Sequence, residues 1–64
     1  MKIKVIKQFQ HDYSIYQKDL ELDLRHLTDL FFIFNCEKYG WTDIVIHKDY
    51  VDEWIKKGKV IQVI

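Results

Sequence analysis

The sequence predicts a small α+β domain, mostly β: a five-stranded antiparallel sheet or barrel with one short helix, at about 49–57, before the last strand. Three observations carry this reading. Apolar and polar residues alternate with period two over several short stretches, most cleanly from Asp19 to Leu24. A single stretch, from Asp49 to Lys57, combines helical spacing with start and stop signals. The chain also contains no Ala, the residue that helices favour most.

Residues 1–9 form the first expected strand, with Ile3, Val5 and Phe9 on one face and Lys2, Lys4 and Gln8 on the other. Ile6 breaks that alternation and marks a bulge. Gln10 to Ser14 is a polar, turn-like connection, anchored by Tyr13, Ile15 and Tyr16. From Asp19 to Leu24 the leucines at 20, 22 and 24 face inward and the acids at 19, 21 and 23 outward. Arg25 to Asp29 reads as a loop. Leu30 to Cys36 is rich in aromatic and β-branched residues, with Leu30, Phe32, Phe34 and Cys36 on one face and Phe31 and Ile33 on the other. Glu37 to Gly40 is a hairpin turn, with Gly40 free to take a positive φ. In the return strand, Trp41 to His47, Ile44 and Ile46 point inward while Trp41 and Val45 have the opposite parity. The helix follows, with Tyr50, Val51, Trp54 and Ile55 in one apolar stripe. Asp49 is its expected N-cap, Lys56 and Lys57 suit its last turn, and Gly58 ends it. Lys59 to Ile64 closes the domain as a strand.

With 64 residues there is room for one domain, 1–64. A chain this short buries only about 60% of the surface it exposes when unfolded, so it is expected to be marginal alone or stabilised by a partner. Zero net charge excludes a generic polyanion binder, and 48% apolar content excludes disorder. The longest apolar run is Leu30 to Phe34, far short of a membrane span. The alternating start, Met1 to Val5, is not a secretory signal, and Cys36 has no second cysteine to pair with. A cytoplasmic location follows as the expectation. Lys outnumbers Arg nine to one, and the residues with AT-rich codons (Phe, Tyr, Met, Ile, Asn, Lys) number 28 against 3 for Gly, Ala, Arg and Pro. The gene therefore reads as one from a low-GC bacterium or its phage.

Several short strings resemble a known family. Phe9 through Leu24 is similar to the opening of SH3-like domains, with a strand, a long loop and a charged return strand. Lys18-Asp19-Leu20-Glu21-Leu22 resembles their Lys-Gly-Asp return without its glycine, and Asp49-Tyr50-Val51 resembles their Asn-Tyr-Val segment. Lys57-Gly58-Lys59-Val60-Ile61 looks like the ending of small phage- or mobile-element-encoded SH3-like barrel proteins. The resemblance implies an SH3-like barrel with the first and last strands side by side. It departs in lacking a Pro before Tyr50 and a paired Trp on the third strand, and in having a full helix. Those departures count against binding of polyproline peptides.

Catalytic and metal chemistry find little support. His11, Asp12, His26, His47 and Cys36 are the available groups, and none shows ligand spacing. His11 and Asp12 would face opposite sides of a strand. Glu21 and Asp23 flank an apolar residue on an exposed strand face, so a solvated face is the better account of them. Only Gly40 and Gly58 could serve a phosphate loop. No enzyme, cofactor or metal is expected.

Charge layout and surplus apolar surface say more. Residues 1–10 hold Lys2, Lys4 and Lys7, residues 54–64 hold Lys56, Lys57 and Lys59, and neither stretch has an acid. All ten acids lie between them, against Lys18, Arg25, Lys38 and Lys48. Pairing of the terminal strands would gather six lysines on one side and make the molecule a strong dipole. Phe31, Ile33, Trp41 and Val45 lie opposite the core-facing set, where a sheet in water should be polar. The leading expectation is a protein-binding module that docks stoichiometrically on a host protein, inhibition of a host enzyme or defence factor being one example. Phe31, Ile33, Trp41 and Val45 would be its anchors, with Glu21 and Asp23 as a charged rim. The alternative is a nucleic-acid-binding module using Lys2, Lys4, Lys7, Lys56, Lys57 and Lys59. A third is a homodimer or other self-associating structural or virion component.

Overall fold

A computed structural model describes residues 1–63; Ile64, part of the expected last strand, lies outside them. The elements are β1 (Lys2–Val5), β2 (Phe9–His11), β3 (Ser14–Tyr16), β4 (Glu21–Leu27), β5 (Phe31–Cys36), β6 (Trp41–His47), α1 (Lys48–Lys56) and β7 (Val60–Val63). Five strands make one antiparallel sheet in the order β6-β5-β4-β1-β7, and β2 and β3 form a separate hairpin. The first and last strands pair as expected, Lys2 opposite Val63 and Val5 opposite Val60. Among the described residues β6 and β7 do not pair, so the sheet is not closed into a barrel by hydrogen bonds.

The alternation read from the sequence places the core. Ile3, Val5, Leu20, Leu22, Phe34, Cys36, Ile46 and Val60 are buried on the inner face. Val51 and Trp54 of α1 cover them, while Tyr50 and Ile55, at the borders of the stripe, stay exposed. Cys36 is a buried free thiol. Phe9 and Tyr16 bring the hairpin into the same core. Their rings stack at 5.1 Å, and both lie against Trp54, at 4.7 and 5.8 Å. This aromatic cluster holds a hairpin that, among the described residues, pairs with no strand of the main sheet.

The structure corrects several expected boundaries. β1 stops at Val5, where Lys59 takes over as acceptor: its carbonyl receives the N–H groups of Ile6 and Lys7. The chain turns there, so no bulge continues the strand through Ile6. Residues 10–14 belong to the β2–β3 hairpin, whose turn is made by Asp12 with φ +53°. That geometry swings the Asp12 carboxylate back to 3.6 Å from His11 Nε2 instead of across the strand. Arg25 to Leu27 is strand, not loop. The register steps between Leu24 and His26, leaving Arg25 as the extra residue of a bulge. The helix starts one residue early, at Lys48. Its N-cap is His47 and not Asp49, because His47 is extended and its Nδ1 accepts the Asp49 N–H at 3.1 Å. Gly40 and Gly58 do take positive φ, +66° and +71°, at the hairpin turn and the helix end.

Candidate protein-docking face

α1 covers the inner face of the sheet, and the outer face is built from the other parity. Its strand pairs set Ile33 between Val45 on β6 and His26 on β4, with Phe31 opposite His47 one row away. Three of the four expected anchors, Phe31, Ile33 and Val45, therefore meet on one corner. Phe31 is 38% exposed, Val45 56%, and Ile33 half-buried between its neighbours. The His47 ring stands edge-on to Phe31 at 5.3 Å. Leu27 and Leu30 are exposed at the same end of the sheet but do not join this corner: Leu27 lies opposite Phe32, whose side chain packs on the core, and Leu30 precedes β5.

Local structure fixes this corner. Thr28 closes the β4–β5 turn: its Oγ1 accepts the Phe31 N–H at 2.9 Å, and its own N–H donates to the Phe31 carbonyl at 2.9 Å. The Lys48 N–H donates to the Leu30 carbonyl at 2.9 Å and ties the start of α1 to the same turn. Both ends of the Phe31 segment are held by main-chain bonds, so its side chain is presented from a fixed backbone.

Trp41 is not part of this corner. The expectation that it shares a face with Val45 fails because β6 carries a second bulge. Phe34 pairs with Ile44 but Cys36 pairs with Trp41, so Thr42 and Asp43 together face Asn35. Asn35 Oδ1 accepts the Asp43 N–H at 3.1 Å, and Asp43 sits at φ +54°. One extra residue reverses the parity of everything before it. Trp41 turns inward, packs on the core and meets Tyr16 at 6.3 Å and Tyr39 at 4.9 Å.

The charged residues are arranged differently from the expected dipole. β1 lies between β4 and β7, so its outward lysines sit in a row beside the β4 acids. Lys2 Nζ is 3.6 Å from Glu21 and 3.7 Å from Asp23, and Lys4 Nζ is 3.8 Å from Asp19. Glu21 and Asp23 do share the outer face with the corner, and Asp23 is one row from Ile33, opposite Asn35. They are matched by Lys2, so they do not form a free acidic rim. Lys57 pairs with Glu53 at 2.6 Å, and this hydrogen bond holds the Glu53 carboxyl below its ordinary value. Lys59 lies over the Phe9 ring at 5.3 Å, and Lys7 is beside it through the backbone. Half of the expected basic patch is thus already neutralised within the chain.

The remaining hollows are shallow. The one between β4 and β6, about 460 Å³, is lined by Asp23, Arg25, Asn35 and Trp41 among others. Among the described residues no three His, Cys, Asp or Glu side chains gather as metal ligands, and no helix is long and apolar enough to cross a membrane. Comparison with family models, curated proteins and solved structures finds no match.

Sequence reasoning missed His26 and His47 as neighbours of the anchors. The signal for His47 was present, since it directly precedes a helix and lies at outward parity to Val45. His26 was hidden by the bulge at Arg25.

Proposed function

We propose that this chain is a non-enzymatic protein-docking module whose contact surface is the apolar corner of Phe31, Ile33 and Val45. One observation carries the reading: these side chains are contiguous on a rigid sheet face, and the chain's only described helix covers the opposite face. Removing such surface from water is worth about 25 cal/mol per Å², and aromatic anchors concentrate binding energy at interfaces. The sheet order β6-β5-β4-β1-β7 supports reading the fold as an SH3-like barrel left open between β6 and β7. Together with the AT-rich residue usage, it supports a phage or mobile-element protein acting in the cytoplasm by stoichiometric docking on a host protein. Binding of nucleic acid is the weaker reading, since Lys2, Lys4 and Lys57 are each within 4 Å of a carboxylate.

The test is affinity capture from host lysate with wild type, with Phe31→Asp plus Val45→Asp, and with Lys7→Ala plus Lys59→Ala. Proteins held by the wild type and the lysine variant but lost from the double aspartate variant support the docking face. Equal capture by all three overturns it. A DNA or RNA complex with a steep salt dependence, lost in the lysine variant, would favour the alternative.

A further inference from the structure

The edge of the sheet beside the docking corner has chemistry of its own. Among the described residues β6 pairs with β5 on one side only, so its other edge offers free backbone N–H and C=O groups. Proteins guard such edges with charged residues, proline or bulges, and in β6, with the sequence Trp-Thr-Asp-Ile-Val-Ile-His, these are confined to the Thr42-Asp43 end, leaving Ile44 to Ile46 without any. The opposite edge, β7, is immediately preceded by Lys56, Lys57 and Lys59, and two copies meeting there would bring like charges together. The regular part of β6 is short and bracketed. The bulge at Thr42 and Asp43 closes it at one end and α1 begins at the other.

Within that bracket, an antiparallel match of β6 with itself has a preferred register. Opposed residues in an antiparallel pair point to the same face. A continuous sheet therefore needs position numbers that sum to an even value, and centring on Val45 uses the whole free stretch. Val45 then meets its own copy and Ile44 meets Ile46, while Asp43, at the bulged end of the stretch, comes beside His47. The last pair is chemically complementary. His47 Nδ1 is occupied as an acceptor by the Asp49 N–H, so the ring proton resides on Nε2, which has no partner among the described residues. The Asp43 carboxylate likewise accepts no hydrogen bond among them.

We infer that the free edge of β6 binds a second copy of this chain, antiparallel about a two-fold axis at Val45, with His47 Nε2–H donating to Asp43 of the second copy at both ends. The resulting sheet runs continuously through two protomers. It brings Phe31, Ile33 and Val45 of both copies onto one outer face without covering them. Dimerisation therefore leaves the docking corner available and presents it twice.

The experiment is sedimentation equilibrium over a concentration series up to about 1 mM, a range that captures weak association. It uses wild type, Val45→Lys, Asp43→Gly and Phe31→Asp, each checked for fold by circular dichroism. Asp43→Gly suits the backbone at φ +54°, so it removes the carboxylate without straining the strand. Expected is a dimer in the wild type, with its dissociation constant raised about tenfold or more by Val45→Lys and by Asp43→Gly. Phe31→Asp should abolish capture of a foreign partner, and its effect on association should be smaller than that of Val45→Lys. A wild-type monomer throughout the series overturns the inference and leaves the docking corner standing. A dimer weakened by Phe31→Asp but indifferent to Val45→Lys and Asp43→Gly also overturns it, by assigning association to the sheet face.

Discussion

His47 Nδ1 accepts the backbone N–H of Asp49 at 3.1 Å, so a histidine at the end of the sheet begins the helix. The same ring packs against Phe31. One side chain thereby couples the helix start to the exposed corner. Replacing His47 by Ala should cost about 1 kcal/mol through loss of the cap, lowering the melting temperature by about 4–8 °C in a domain of this size. His47→Asn supplies an equivalent acceptor and should recover most of the loss. Thermal unfolding followed by circular dichroism makes the comparison.

Trp41 and Val45 should respond oppositely to the same charge. Val45→Asp places a carboxylate on an exposed position and should change stability by about 0.5 kcal/mol or less. Trp41→Asp forces one against the core and should cost about 3 kcal/mol, most of the stability expected of a domain this small. Chemical denaturation of both variants checks the pair. Similar midpoints would mean that the bulge does not turn Trp41 inward.

The bulge itself rests on Asn35. Asn35→Ala removes the acceptor for the Asp43 N–H and should destabilise by about 1 kcal/mol. Its amide signature should be faster hydrogen exchange at Asp43, with exchange at Ile3 and Leu22 in the centre of the sheet unchanged relative to overall stability.

Tyr16 gives the fold an alkaline limit. Burial, with the Asp12 carboxylate and then Cys36 adding to it, raises the Tyr16 hydroxyl above its ordinary value of 10.0. The folded state thus holds this proton more tightly than the unfolded chain. Its contribution is fully present below the unfolded value and is lost as pH rises through the folded one. Tyr16→Phe should flatten that alkaline part of the stability profile, as read from denaturation midpoints at increasing pH. An unchanged slope would show that other groups carry it.

Glu53 acts at the other end of the scale. Its carboxyl is lowered by the Lys57 hydrogen bond, so its contribution is present above the ordinary carboxylate value and fades as pH falls through the lowered one. The group is fully exposed, and Glu53→Gln should shift acid unfolding only slightly.

What could be read from the residues depended on strict alternation. Ile3, Val5, Leu20, Leu22, Phe34 and Ile46 were legible as core because each lies in an unbroken period-two run. The helix was legible from its stripe and from Gly58. Phe31, Ile33 and Val45 were recognisable as a shared outer surface because no bulge separates them in register. Trp41, His26 and Leu27 were misplaced for one reason: a bulge leaves no mark in composition. Asp43 and Arg25 are ordinary polar residues, and only the strand pairing reveals the shifts: two residues of β6 face Asn35, and Arg25 faces no residue of β5. The hairpin was missed because its three-residue strands are too short to show a period, and tertiary aromatic contacts with Trp54 hold them in place. The matched charges of Lys2, Glu21 and Asp23 needed the strand order, which residue spacing does not specify.

The bulge opposite Asn35 also makes strand length a determinant of surface chemistry. Removing one residue from the Thr42-Asp43 pair would restore regular pairing and rotate Trp41 through half a turn, from core filler to surface aromatic. Cys36 and Tyr16 would lose their cover at the same moment. A single-codon deletion could therefore exchange what this protein shows to water for what it hides, with no substitution anywhere in the chain.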